Sequence, residues 1–409
     1  MQPIRIVVAG GNYAGLNAVR HLYATLLAPT KPAAAPDASR PNVEITLIDK
    51  RDGFLHYIGI TRGFTEPEYG SRLWVPYASV PWLQHTCVSV RHDTVTKITP
   101  SSVYLESGTH VPFDYLVIAL GETREAPIGT NASTKEQFIG ELDRVHRQIK
   151  GSRTVAVVGG GAVGIEMAAD IKCDFASKDV ILAHSRALPL PGPFKDDFRQ
   201  QIVDILRNDI GVNVILGQRV INQSPNCETQ APDDGYLLTL ADGRQLAADC
   251  VIRCLGASSS SIKQLIDLPT QQDAEPALFG PRGIRIKDTM QVDSARYPNI
   301  YACGDICARD SVKLAGVAMY GAYVAARNIA RSILQRNGEC TKLEEAFLYP
   351  PKIMLLMGKG HFAMQHGDEI WEKERIRPFI LDDMGLQLSI DGLSLNQNPD
   401  HDDLLIKSD

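Results

Sequence analysis

An α/β fold is predicted by three features: two strand-turn-helix units, each broken by a run of glycines, and a third strand that ends in glycine and aspartate. The first unit reads Ile4-Arg5-Ile6-Val7-Val8-Ala9, then Gly10-Gly11-Asn12-Tyr13-Ala14-Gly15, then Leu16, Val19 and Leu22 at helical spacing. The second reads Thr154 to Val158, then Gly159-Gly160-Gly161-Ala162-Val163-Gly164, then Ile165 to Ala169. The third strand is Asn299 to Cys303, followed by Gly304 and Asp305 at its carboxyl end, where open α/β sheets bind ligands. A strand that turns tightly into a helix leaves the first helical amides unpaired and aims the positive end of the dipole over the strand. A dinucleotide pyrophosphate suits that place, so each unit is expected to hold one, in a Rossmann-like arrangement.

In the first unit the middle glycine of the usual pattern is replaced by Asn12, a residue type that tolerates positive φ better than most. The expected cradle is Gly10, Gly11, Asn12, Tyr13, Ala14 and Gly15. Residues 28 to 41, with four prolines among alanines and small polar residues, read as a flexible surface insertion. The strand Val43 to Ile48 then ends at Asp49, with Lys50 beside it. In a dinucleotide fold an acid about 20 residues after the last glycine takes the ribose hydroxyls. The interval here, 49 − 15 = 34, exceeds that by the 14 residues of the insertion, which makes Asp49 the expected ribose acid. Val88 to Val90, Val95 to Ile98, Val103 to Leu105 and Phe113 to Leu120 follow as strands, the last running into Gly121, where backbone can pass close to a ligand.

The second unit keeps all three glycines, and Glu166 falls in the first turn of its helix. Counting 20 from Gly164 past the strand Val180 to Ala183 lands on His184 rather than an acid. Arg186, two residues on, is suited to a ribose 2′-phosphate, so NADPH is favoured and NADH stays open. A helix over Phe194 to Arg207 and strands at Val212 to Leu216, Tyr236 to Leu240 and Asp249 to Leu255 complete this unit, and Gly256 to Ser261 reads as the linker out of it. A long helix over Ala315 to Gln335 carries alanines at 318, 322, 325 and 326 for close packing. Beyond Lys342, the stretch Ile353 to Gln365 holds three of the eight methionines, and the Asp-rich tail from Asn396 is expected to be disordered.

With 409 residues, two or three domains are expected. A net charge of −6 gives no basic footprint and argues against nucleic-acid binding. The eight cysteines form no Cys-x-x-Cys and no zinc spacing, so neither a redox disulfide motif nor a metal site is expected. Cys250 and Cys254 on one strand would stand about 13 Å apart, too far to bridge. No run of about 18 apolar residues spans a membrane, and a first strand at Ile4 leaves no room for a leader. The expected location is cytoplasmic, with peripheral membrane or mitochondrial association left open.

Gly10 to Gly15, Asp114 to Gly121, Gly159 to Glu166 and Asn299 to Asp305 occur in the order of the pyridine-nucleotide-disulfide-reductase-type flavoproteins, and the chain resembles that superfamily over nearly all its length. Ala183-His184-Ser185-Arg186, the absent cysteine pair, and Met357-Gly358-Lys359 with Gln365 make it most similar to the apoptosis-inducing-factor-like group, which includes the ferroptosis-suppressor NAD(P)H:quinone reductases. The resemblance implies two glutathione-reductase-type nucleotide-binding domains, with the second inserted in the first. FAD would bind residues 1–122 and 258–343 through Gly10, Gly15, Asp49, Gly121, Gly304 and Asp305. NAD(P)H would bind residues 123–257 through Gly159, Gly161, Gly164, His184 and Arg186, with Glu166 close to the nicotinamide, and residues 344–409 would form a small C-terminal α+β region. The sequence departs from the family at Asn12, at Leu120 in place of threonine, and at Tyr320 in place of glutamine.

If two dinucleotides meet, hydride passes between them and the protein positions the rings. The N-terminus of the helix near Ala315 is placed to stabilise negative charge on a reduced flavin through its dipole. The expected acceptor is a quinone or another flat apolar molecule, to which the Met-rich C-terminal stretch would mould. A tailoring oxidoreductase acting on one metabolite, and a flavin-bound redox-sensing or cell-death signalling module, remain open alternatives.

Overall fold

The computed structural model describes residues 2–28, 41–225, 235–269, 277–309, 312–335, 342–379 and 383–399. Two parallel sheets organise it. In the first, five strands lie in the order Ile300–Ala302, Tyr115–Ile118, Ile4–Ala9, Val43–Asp49 and Val88–His92, all parallel. Ile6 to Ala9 are almost wholly enclosed, as the unbroken apolar run of a sheet covered on both faces requires. Helix Tyr13–Leu26 covers one face beside helix Ala315–Leu334. Ala322, Ala325 and Ala326 are the buried residues that let the two helices approach. A three-stranded meander, Val95–Ile98, Ser102–Leu105 and His110–Pro112, completes this half.

The second sheet repeats the plan with four parallel strands, Asn213–Ile215, Asp179–Ala183, Thr154–Val158 and Cys250–Arg253. Its own meander is Val220–Pro225, Tyr236–Leu240 and Gln245–Ala248. The chain passes into and out of this unit through one place, where Thr123 and Ser258 exchange two backbone hydrogen bonds of 2.8 Å.

An antiparallel sheet of Lys352–Leu356, Phe362–His366 and Glu369–Trp371 follows. Its Leu355, Met357 and Met364 share one buried cluster with Val155, Ile165 and Met167 of the second unit and with Leu55, Ile60 and Phe64 of the first. The chain then returns through helix Leu386–Gly392, and Leu393 and Leu395 are buried in the same cluster as Leu22 and Trp82.

The sequence missed one long element, helix Lys135–Gly151, in which Phe138, Leu142, Val145 and Ile149 form the buried stripe and the Thr134 hydroxyl accepts the Gln137 N–H at the cap. The helix expected from Phe194 begins at Asp196, because Asp196 and Asp197 suit the positive end of its dipole. The ladder expected over Phe113 to Leu120 is confined to Tyr115–Ile118. The tail expected to lose order at Asn396 is described as far as Pro399, and the remainder, like residues 29–40 of the proline-rich insertion, lies outside the described residues. Among the described residues no helix is long and apolar enough to cross a membrane.

Candidate functional site

The two glycine turns are built to one plan, and the plan explains which glycines matter. Gly10 has φ +99° and Gly159 φ +119°, a region open to glycine and costly to other residues. A Cβ on Gly10 would lie 2.4 Å from the Ala119 carbonyl oxygen, and one on Gly159 would lie 2.3 Å from that of Cys254, each at the end of the neighbouring strand. The last glycines bring helix onto turn: a Cβ on Gly15 would meet the Gly10 oxygen at 1.7 Å, and one on Gly164 would meet the Gly159 oxygen at 1.8 Å.

The middle position behaves differently. Asn12 has φ −91° and Gly161 φ −78°, so the expectation that Asn12 is tolerated for its ease at positive φ is corrected: this position is extended in both turns and needs no glycine for its backbone. A Cβ at Gly161 would meet nothing within 4 Å. The Asn12 Oδ1 is buried without a partner, and neither N-cap residue covers the helix amides behind it with its side chain. Each turn therefore leaves helix N–H groups without a side-chain cap, the arrangement by which helix N-termini can hold anions.

The second strand of each unit closes its turn with a different group. In the first, the Gly11 N–H donates to the Asp49 carboxylate, which also accepts the Arg51 N–H at 2.8 Å and the Arg51 Nε at 3.2 Å. In the second, the Gly160 N–H donates to His184 Nδ1 at 3.0 Å. That bond places the imidazole hydrogen on Nε2, which is buried without a partner. Burial, reinforced by Arg186, holds His184 below the usual histidine range and therefore neutral. Arg186 itself is exposed, and Lys50 is exposed beside Asp49.

The third predicted loop joins the first turn. Gly304, at φ +80°, stands where a Cβ would be 3.2 Å from Ala14 and 3.7 Å from Ala318. The N-termini of helices Tyr13–Leu26 and Ala315–Leu334 thus converge on the Gly304-Asp305 loop. Asp305 makes no hydrogen bond among the described residues, and burial raises its carboxyl pKa against the pull of Arg124. Gly121 has φ +69° and open space beside it.

Glu166 is nearly enclosed, and its Oε1 accepts the Leu356 N–H at 3.1 Å. Burial pushes its carboxyl up to about 8, with Asp170 one turn along the helix adding to the rise. Asp170, pushed up to about 6 by burial, accepts from Arg62 at 3.3 Å, and the same guanidinium reaches the Gly358 carbonyl at 3.2 Å. Arg62 therefore ties the first unit to the helix of the second and to the C-terminal sheet. The sequence reading passed over Arg62 and Asp170. The only signal was Asp170 four residues after Glu166, on one helix face.

Two other expectations meet the structure here. Met357 and Met364 are enclosed in the core, so the Met-rich stretch is a packing element rather than an acceptor surface. All six described cysteines are free; Cys303 and Cys307 are buried, and burial raises the Cys303 thiol to about 12, as packing cysteines behave.

The pyridine nucleotide-disulphide oxidoreductase family pattern matches residues 4–322. Oxidoreductase OXR1 of Ajellomyces capsulatus is 30% identical over 97% of this chain and 89% of its own length. Ferroptosis suppressor protein 1 of Homo sapiens is 29% identical over 81% of this chain and 82% of its own. Among solved structures, a water-forming NADH oxidase from Lactobacillus brevis bound to NADH superposes with a TM-score of 0.64 at 17% identity, covering 92% of this chain and 78% of that one.

Proposed function

The chain belongs to the pyridine nucleotide-disulphide oxidoreductase family, and from that premise we propose that it takes hydride from NADPH and delivers electrons, by way of FAD, to a quinone-like acceptor. The family supports an NAD(P)H-dependent oxidoreductase; the choice of NADPH and of quinone is the further step. The observation that carries the reading is the duplicated turn, in which two sets of uncapped helix amides, each behind a glycine in the left-handed region, stand ready for two dinucleotides.

The residues fit that pair of cofactors. Gly10 to Gly15 would hold the FAD pyrophosphate, Asp49 with Lys50 the adenosine end, and Asp305, with Gly121 and Gly304 leaving room, the ribityl side. Gly159, Gly161 and Gly164 would hold the nucleotide pyrophosphate, with Glu166 facing the nicotinamide. Bound flavin supplies the chemistry of accepting a hydride and releasing electrons singly or in pairs. The chain contributes positioning and charge. Two helix N-termini converging on Gly304 stabilise anionic groups there, and Arg62 with Asp170 holds the helix that carries Glu166.

At the second turn a neutral imidazole occupies the usual acid position, so a 2′-phosphate meets no fixed negative charge and finds Arg186 within two residues. Arg186→Glu is expected to raise the KM for NADPH about tenfold while leaving that for NADH within a factor of about two. Equal changes for the two nucleotides would remove Arg186 from the site.

The quinone assignment rests on the resemblance and on chemistry available at the surface. The sequence holds no Cys-x-x-Cys or Cys-x-x-x-x-Cys spacing, which disfavours a disulfide acceptor served by such a relay. In place of the methionines, aromatic rings offer flat apolar surface: Phe347, 53% exposed, lies 4.7 Å from Tyr320 and 4.5 Å from Tyr349 between ring centres. Steady-state NADPH oxidation should rise at least tenfold over the oxygen background when a soluble benzoquinone is added. A rate that stays at background rejects the acceptor.

A further inference from the structure

His56 is fully enclosed and hydrogen-bonded at both nitrogens. Its Nε2 lies 3.0 Å from the Met384 carbonyl oxygen, which can only accept, so the ring hydrogen is on Nε2 and Nδ1 accepts from the Tyr13 hydroxyl, also at 3.0 Å. Tyr13 is the first residue of the helix that starts at the first glycine turn. A continuous chain of hydrogen bonds therefore runs from the cradle to the C-terminal segment 383–395.

That segment is fastened to the first unit by three further hydrogen bonds, while its Met384 and Leu386 also pack in the buried cluster shared with the second unit and the C-terminal sheet. The Tyr69 hydroxyl donates to the Asp383 carbonyl at 2.8 Å, the Trp82 indole donates to the Ser394 carbonyl at 2.9 Å, and Arg20 Nε donates to the Ser394 hydroxyl at 2.9 Å. Met384 at φ 53° and Ser394 at φ 51° hold left-handed backbone at the two fastening points, a conformation that surrounding contacts must sustain in residues other than glycine. Arg20 and Tyr13 lie on the same helix, so the segment grips both the start of that helix, through His56, and its middle. Leu393 and Leu395 add buried apolar contact between these points.

We propose that His56 is a positioning residue through which the segment 383–395 and the first glycine turn are ordered together, so that a dinucleotide in the turn tightens the segment and the segment tightens the dinucleotide. The inference rests on the reading of this turn as the FAD site. Coupling of this kind is reciprocal: whatever factor FAD gains from the ordered segment, the segment gains from FAD.

The test uses the full chain, with FAD titrated by flavin fluorescence and amide hydrogen exchange followed in residues 383–395 with and without FAD. In the unaltered protein, FAD is expected to slow exchange in this segment several-fold. Tyr13→Phe, which removes one hydroxyl and keeps the ring, should weaken FAD binding about tenfold, the scale of one buried hydrogen bond, and should abolish the FAD-dependent change in the segment. His56→Phe should do the same, and His56→Gln, which keeps a donor and an acceptor, should restore most of the coupling. A role confined to folding would lower protection with and without FAD alike and leave the FAD-dependent change intact. That result, or a segment indifferent to FAD in the unaltered chain, overturns the proposal while leaving the FAD site standing. Failure of the unaltered chain to bind FAD overturns both.

Discussion

Gly164→Ala is expected to yield a yellow protein that NADPH no longer reduces, whereas Gly15→Ala is expected to yield a colourless one. Both substitutions add a single methyl group, and both aim it at backbone: 1.8 Å from the Gly159 oxygen in one case and 1.7 Å from the Gly10 oxygen in the other. No rotamer relieves such contacts, because the clashing atom belongs to the turn itself. The helix must move away from the strand, and the amides that would hold the pyrophosphate move with it. Overpacking of this kind costs on the order of 1–3 kcal/mol or more in stability, and displacement of a binding element by about 1 Å costs on the order of 100-fold in rate. Each turn ends a strand of its own sheet and each clash lies within its own turn, while Arg62 and the shared apolar cluster also join the two units, so flavin content and flavin reduction are read separately in each variant. Absorbance spectra report retained flavin, and stopped-flow mixing with NADPH reports its reduction. In Gly164→Ala the reduction rate should fall at least 100-fold with flavin content near normal. Normal reduction by NADPH in this variant would remove the second turn from the reaction, and flavin retained in Gly15→Ala would remove the first from flavin binding.

The parts of this architecture that were legible in sequence are those where local chemistry decides the outcome. Gly10, Gly15, Gly159 and Gly164 are legible because each turn demands left-handed backbone or the closest helix-strand approach, and only glycine supplies either. Asp49 and His184 are legible by counting, since a strand of fixed rise ends opposite the turn it closes. Their bonds to the Gly11 and Gly160 amides are the structural form of that count. What remained hidden depends on residues far apart in sequence. Arg62 meets Asp170 across 108 positions and Gly358 across 296, and neither partner carries a local signal. His56 likewise reads as one polar residue in an apolar stretch until Met384 is brought beside it. The Met-rich stretch misled for the opposite reason: methionine fills irregular cores and moulds to ligands by the same flexibility, and composition does not separate the two uses.

Glu166→Gln should flatten two pH dependences that the unaltered protein shows. Burial is the main reason the Glu166 carboxyl is pushed from its ordinary 4.5 to about 8. The negative Asp170 adds to the rise, while the Leu356 N–H and Arg62 oppose it. At neutral pH the group is therefore a protonated acid in a closed space, and it ionises only as pH passes about 8. If it faces the nicotinamide, the rate of flavin reduction by NADPH should change with an apparent pKa near 8, and the glutamine variant, unable to ionise, should show no such step. Stability follows with a defined sign. The folded chain holds a proton that the unfolded chain releases above 4.5, so the contribution is full below that value, is lost progressively up to about 8, and is level beyond. Over the whole interval this amounts to roughly 3–5 kcal/mol. Asp170, raised to about 6, adds a slope of the same sign below pH 6 that the variant retains. Thermal unfolding of the two proteins should therefore converge near pH 4.5 and separate above pH 6, with Glu166→Gln the more stable at pH 8.5. Parallel curves across that range would mean that Glu166 is ionised in the folded protein, and with it would go the neutral acid beside the nicotinamide.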